Sequence, residues 1–239
     1  MEEYLIRPIA HIRSDYNEKF GIPRQSGLVT ELEQAVVIDP EFSNPDAVRG
    51  LEDFTHIWLI WGFSENTVDM TEKPVRWSPT VRPPRLGGKV RKGVWASRSP
   101  YRPNSLGMSS VRLLRIETEG ELALIVKGAD LMNGTPVFDI KPYIPYSDIH
   151  PEASRGYTAT SDNKLEVDFP EEMLARVDDS KRAGLIQLLE LDPRGAYEKK
   201  DGHEYGLSFA DWDVRFVVKD QTLTVTDVVI RTEGMDHIK

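Results

Sequence analysis

The chain has 239 residues, 39% of them hydrophobic and 29% charged, a balance that fits a folded protein with a real core and excludes wholesale disorder or a fibrous repeat. It contains no cysteine, which excludes disulfides, thiolate metal sites and cysteine nucleophiles. Its formal net charge of −9 taken alone argues against a nucleic-acid partner, because binding to phosphates depends on lysine and arginine.

Residues 5–12, 35–38 and 57–63 are rich in apolar, β-branched and aromatic side chains and are bounded by Pro, Gly, Asn or Asp, which predicts strands. A short helix is predicted over 45–54. The next stretch reverses the charge argument. Between Lys73 and Arg102 stand nine basic residues (Lys73, Arg76, Arg82, Arg85, Lys89, Arg91, Lys92, Arg98 and Arg102) and no Asp or Glu, which leaves the rest of the chain at −18. Such a segment is either a solvated loop that confers solubility or the footprint of a polyanion or bound cofactor, and mutual repulsion of like charges favours the second. Residues 111–116 and 122–126 then flank Glu119-Gly120, the arrangement of a β-hairpin in which glycine supplies positive φ.

After His150 a polar stretch, PEASRGYTATSDNK, marks a change of character, and two domains are expected, over 1–150 and 151–239. The second opens with helical spacing around Met173, Leu174 and Val177, then Leu185, Ile186, Leu188 and Leu189, entered near Pro170 with two Glu in its first turn and left at Asp192-Pro193. Val214, Phe216 and Val218, then Leu223 and Val225, alternate with polar neighbours, so the domain is expected to pack helices on a small antiparallel sheet. No apolar run approaches the ~20 residues that span a bilayer and the N-terminus lacks a signal-peptide pattern, so a soluble, cytoplasmic protein with no membrane partner is expected.

Several functional signatures are missing. There is no G-x-G-x-x-G, no phosphate-binding G-x-x-x-x-G-K-S/T and no G-x-S-x-G, and the five histidines (His11, His56, His150, His203, His237) lack metal-ligand spacing, so no metal is expected. Composition and pattern alone stop at a β-rich protein with a basic face.

Four long motifs in order go further: PRQSG at 23–27, AVRGLEDFTHIWLIWGF at 47–63, TVRPPRLGGKVRKGVWASRSPYRPNSLGMS at 80–109 and NGTPVFDIKPYIPY at 133–146. Together they resemble the TrmO-type tRNA methyltransferases, a family with a TsaA-like domain. LELDPRGAY at 189–197, EYGLSF at 204–209 and DVRF at 213–216 look like the C-terminal part of its bacterial members. The resemblance implies a mainly β fold: a small TsaA-like β-barrel with short helices, unrelated to the Rossmann methyltransferases, followed by a small α+β domain. It implies a homodimer that binds S-adenosyl-L-methionine near the subunit interface. The implied acceptor is N6 of threonylcarbamoyl-adenosine at position 37, in the anticodon stem-loop of a tRNA.

Carried over residue by residue, the cofactor positions are Pro23, Arg24, Gln25, Ser64, Glu65, Arg98 and Met108, with the turn Asn133, Gly134, Thr135 and Pro136. Glu65 could accept from a hydroxyl or the methionyl amine, and Arg98 could pair with the carboxylate. Asp139 is a candidate hydrogen-bond acceptor near the substrate, Lys141 an orienting cation and Tyr143 a stacking surface, against a reading of Asp139 as a turn residue and Tyr143 as a core aromatic. Arg82, Arg85, Lys89, Arg91, Lys92 and Arg102 are the expected phosphate contacts, with Asp192, Arg194 and Tyr197 facing the substrate from the second domain or forming a structural Asp-Arg pair with a packed Tyr. Ser64, Ser105 and Asn133 depart from the family's more usual His, Pro and Asp. Two other functions remain open: a non-catalytic RNA-binding adaptor, and a methyltransferase with another RNA or a small molecule as acceptor.

Overall fold

The computed structural model describes residues 4–64, 77–158, 164–195 and 199–231. Six strands close an antiparallel barrel. In chain order its first elements are β1 (Ala10–Arg13), β2 (Glu33–Ile38) and β3 (His56–Gly62), followed by a two-stranded excursion, β4 (Thr80–Val81) and β5 (Lys92–Gly93). The barrel resumes with β6 (Leu106–Glu117), β7 (Ala123–Lys127) and β8 (Pro136–Pro142), in the spatial order β1-β2-β7-β6-β3-β8, and β8 closes on β1.

Side-chain alternation fills the barrel. Ala10 and Ile12, Val36 and Ile38, Ile57, Leu59 and Trp61, Val111 and Leu113, and Leu124 and Val126 point inward at every second position and form one buried cluster. Strands β2 and β7 are buried on both sides, because Ala35, Val37, Ala123 and Ile125 pack together on the other face. This is why AVVI and LALIV read as continuous apolar runs.

Two expected elements are shorter or broken. The strand expected over 5–12 begins only at Ala10: Tyr4, Leu5 and Ile6 are exposed, and Pro8 has no N–H to give a ladder. The helix expected over 45–54 is two 3₁₀ turns, Pro45–Val48 and Leu51–Asp53, parted by Gly50 at φ +83°. The hairpin between β6 and β7 turns at Gly120 with φ +82°, as expected.

The C-terminal part has α1 (Pro145–Asp148) leading to β9 (Glu166–Asp168), α2 (Glu171–Leu174), α3 (Asp179–Glu190) and then β10 (Glu204–Phe209), β11 (Trp212–Lys219) and β12 (Thr222–Ile230). The sheet runs β10-β11-β12-β9, and it is mixed rather than purely antiparallel, since β9 pairs parallel with β12. Leu185, Leu188 and Leu189 of α3 bury against Phe209, Val214, Phe216, Val218, Leu223 and Val225. The single helical segment expected to run from Pro170 to Asp192 is divided, because the chain breaks between α2 and α3 to bury Val177.

One segment ties the two units together. Tyr16, Val29 and Leu32, from the connection between β1 and β2, are buried in the second core. Asn17 donates to the carbonyl of Ala210 at 2.7 Å, Lys181 pairs with Asp15 at 2.5 Å, and Tyr16 bridges Phe209. Helix α3 approaches this segment so closely that a Cβ at Gly184 would lie 2.3 Å from Leu32. The strap from residue 16 to residue 32 is therefore held on both sides.

Candidate active site

The strap, the end of β3, the start of β6 and the turn before β8 enclose a cavity of about 590 Å³ at the barrel rim. Its walls include Pro23, Arg24 and Gln25 from the strap, Trp61, Phe63 and Ser64 from β3 and its exit, Arg98 and Arg102 from the basic segment, and Met108, Asp130, Leu131 and Thr135. A volume of this order suits a nucleoside-sized ligand.

Close backbone approach builds the apolar wall. Trp61 lies opposite Gly107 in the β3–β6 register, and its ring packs on Phe63 with centroids 4.3 Å apart. A Cβ at Gly107 would sit 2.3 Å from Trp61 Cε2, so only glycine leaves room for the indole. The Trp61 indole N–H donates to Ser109 Oγ at 3.0 Å, and the Ser109 hydroxyl donates to Asp130 Oδ1 at 2.6 Å. The β3–β8 register shifts between Ile60 and Trp61, two residues that line the cavity.

The polar wall carries both signs of charge. Burial raises the Asp130 carboxyl above its ordinary value, and the hydrogen bond from Ser109, backbone N–H groups and the Arg98 charge work against that rise. Arg98 is oriented by donating to Gln25 Oε1 at 2.5 Å. An acid and a guanidinium facing one cavity form an amphoteric site.

Of the cofactor residues expected from sequence, Pro23, Arg24, Gln25, Ser64, Arg98, Met108 and Thr135 line this cavity. Asn133, Gly134 and Pro136 do not: the Asn133 side chain accepts from the backbone N–H of Ser14 at 3.2 Å, and the turn presents only Thr135 inward. Glu65 lies outside the described residues. Sequence reasoning missed Asp130, Ser109 and Trp61, although Asp130 stands three residues before the NGTP turn and Trp61 sits inside the quoted HIWLIWGF strand.

The trio Asp139, Lys141 and Tyr143 does not line the cavity. Asp139 pairs with Lys141 at 2.8 Å and accepts from the Ile140 backbone N–H at 2.9 Å, while Tyr143 packs on Trp58 at 5.5 Å. Asp139 and Lys141 lie on β8 beside β3, with Asp139 opposite Ile60, a cavity residue, and Tyr143 just past the end of β8 donates its backbone N–H to the His56 carbonyl at 3.0 Å. Among the expected RNA contacts, Arg82, Arg85, Lys89, Arg91 and Lys92 lie on or beside the β4–β5 excursion, where Arg85 donates to the Thr158 carbonyl at 3.1 Å and Arg91 to Thr80 Oγ1 at 2.8 Å, and Arg102 is also engaged within the protein. Its Nη1 donates to the carbonyls of Ser97 at 2.8 Å and of Val94 and Ser99 at 3.4 Å, so it braces the loop from within.

Asp192 and Arg194 are buried and line a second, adjoining cavity of about 240 Å³, with Lys19, Arg24 and Lys164. Burial acts to raise the Asp192 carboxyl, but hydrogen bonds from Arg194 and Lys199 outweigh it and hold it below its ordinary value. Tyr197 lies outside the described residues. Among the described residues no group of three or more His, Asp or Glu side chains is placed to hold a metal ion, and no helix is long and apolar enough to cross a membrane.

Fold and cavity together define a closed antiparallel barrel with a cavity of mixed charge at its rim, in a sequence without a Gly-rich nucleotide loop. Residues 11–149 match the family model of the tRNA-methyltransferase O N-terminal domain, and residues 162–231 match the TrmO C-terminal domain. The chain belongs to this family. It is 38% identical over 232 residues to a tRNA (adenine(37)-N6)-methyltransferase of Escherichia coli, covering 92% of this chain and 95% of that protein. It is 40% identical to one from Eikenella corrodens over 76% of this chain and 99% of the other. A crystal structure of TrmO from Pseudomonas aeruginosa superposes with a TM-score of 0.76 at 31% identity, covering 97% of this chain and 99% of that one.

Proposed function

We propose that this protein transfers a methyl group from S-adenosylmethionine to N6 of threonylcarbamoyl-adenosine at position 37 of tRNA, with the cofactor in the cavity at the barrel rim. The observation that carries the reading is the amphoteric cavity: Arg98 and Asp130 face a space walled by Trp61 and Phe63 in a chain 38% identical to a tRNA (adenine(37)-N6)-methyltransferase. Two relatives from Pseudomonas aeruginosa are named as putative S-adenosylmethionine-dependent methyltransferases, which supports the cofactor.

The residues present fit that molecule. Arg98, held by Gln25, would take its carboxylate, Asp130 its cationic amine, and Trp61 and Phe63 would cover its adenosine part. When bound, S-adenosylmethionine supplies a methyl group already activated on a sulfonium sulfur. The chain's task is then mainly to hold the acceptor nitrogen in line and to keep water out, for which positioning is the larger share of the rate. The adjoining cavity shares Lys19, Ile22, Pro23 and Arg24 with the first, so the strap stands between cofactor and substrate sides.

The basic segment faces the tRNA in this reading, and Arg82 and Arg85 position phosphates. Neutralising both should flatten the dependence of log affinity on log salt by about 1.5 to 2, while an unchanged slope would remove them from the interface. A homodimer is part of the proposal: Leu106 and Met108 are exposed at the cavity side of β6, and a partner subunit would cover them and bring Asp139, Lys141 and Tyr143 near its own substrate. The site of action is the cytoplasm, where tRNA is modified.

The reading is tested by calorimetry with S-adenosylmethionine, followed by methyl-acceptor assays on tRNA with and without the threonylcarbamoyl group. Cofactor heat and acceptor activity confined to the modified tRNA are expected. Binding of tRNA with no cofactor heat would make the protein an adaptor, and equal activity on both tRNAs would move the acceptor elsewhere.

A further inference from the structure

The β4–β5 hairpin pairs Thr80 with Gly93 and Val81 with Lys92, and so brings the residues that flank it, Trp77 and Trp95, side by side. Their rings lie 5.5 Å apart at 34°, yet Trp95 is 73% exposed and Trp77 38%. Leaving this much indole in water is costly, at roughly 25 cal/mol per Å² of apolar surface, so an exposed pair calls for an occupant.

The pair is held on a fixed base. Val94, next to Trp95, is fully buried, its N–H donates to the carbonyl of Pro79 at 3.0 Å, and Arg102 ties down the carbonyls that follow. Trp95 is thus displayed outward by a turn whose neighbours are pinned inward.

Charge decides what the pair receives. It lies within the acid-free segment between Lys73 and Arg102, and Lys89, Arg91 and Lys92 are within a few residues of Trp95. A second copy docking on this face by symmetry would set two such cationic segments against each other, which electrostatic complementarity disfavours. Cations along a backbone track with an exposed indole between them are the elements that bind unpaired nucleic acid, in which every base offers a π-face.

We infer that Trp95, backed by Trp77, is a stacking platform for an unpaired base of the anticodon loop. The inference rests on the tRNA reading above and adds a subsite that holds the loop open beside the base to be methylated, as an enzyme acting on a nucleobase requires.

The test uses the full-length protein with an anticodon stem-loop RNA, comparing wild type, Trp95→Ala and Trp95→Phe across a salt series. Trp95→Ala should weaken RNA binding about 5- to 150-fold, the range for one stacked base, and Trp95→Phe should recover much of it. The slope of log affinity against log salt should stay at the wild-type value, because no phosphate contact is lost. Affinity for S-adenosylmethionine measured on the same variants should not change. Unaltered RNA affinity in Trp95→Ala would overturn the platform while leaving the methyltransferase reading intact. Conversion of a wild-type dimer to monomer by Trp95→Ala would also overturn it, by placing the indole in a subunit contact. Failure of the wild-type protein to bind any stem-loop would overturn the tRNA reading and the platform with it.

Discussion

Asp130→Asn is expected to weaken S-adenosylmethionine binding by about 10- to 150-fold, the loss of one charge-assisted hydrogen bond of roughly 1.5 to 3 kcal/mol. The substitution keeps the shape and the acceptor for Ser109, so the fold should survive. Stability should move the other way. A carboxyl whose pKa is raised by folding binds protons more readily in the folded state, so it costs stability increasingly as pH climbs from the ordinary value of 3.8 through its raised value, and above that the cost is complete. The neutral amide escapes this cost, and the variant should melt at or above the wild-type temperature at neutral pH while binding cofactor poorly. Wild-type affinity should also fall as pH drops through the raised Asp130 pKa, and the Asn variant should lose this dependence. Calorimetry across pH with thermal melts checks both, and wild-type affinity in the variant would remove Asp130 from the site.

The second large effect is expected from Gly107→Ala. The new methyl group would stand 2.3, 2.4 and 2.7 Å from three atoms of the Trp61 ring, closer than any real contact. Trp61 cannot easily yield, because its indole N–H is fixed on Ser109 and its ring packs on Phe63. Overpacking of this kind costs about 1 to 3 kcal/mol, and the displaced ring takes the wall of the cavity with it, so stability and cofactor affinity should fall together. Combining Gly107→Ala with Trp61→Leu should destabilise less than the two changes summed, since they contest one space. Denaturant melts of the four-member cycle measure this coupling, and strict additivity would mean that the close approach is not what glycine serves.

These two positions show how unevenly the site was written in the sequence. Barrel strands were legible from alternation and β-branched runs, and β2, β3 and β7 fall close to where their apolar runs lie. The strap was not legible: Tyr16, Val29 and Leu32 show no periodicity, and their partners Phe209 and Leu185 lie some 150 to 190 positions away. The same long-range folding places Pro23, Arg24 and Gln25 against Arg98, a pairing motif spacing cannot give. Gly107 looks like any glycine until its register opposite Trp61 is known. Asp130 carries no local mark either, because its character comes from burial and from Ser109, twenty-one residues earlier. Arg102 has a use that its charge alone did not show: one guanidinium nitrogen donates toward three carbonyls of its own loop.

Methyl transfer from labelled S-adenosylmethionine to threonylcarbamoylated tRNA, followed by nucleoside mass spectrometry, tests the central claim most directly. The label should appear on N6 of the modified adenosine next to the anticodon, and Asp130→Asn should lower its rate at subsaturating cofactor. Label on another nucleoside, or none when cofactor and tRNA are both bound, would contradict the proposed reaction.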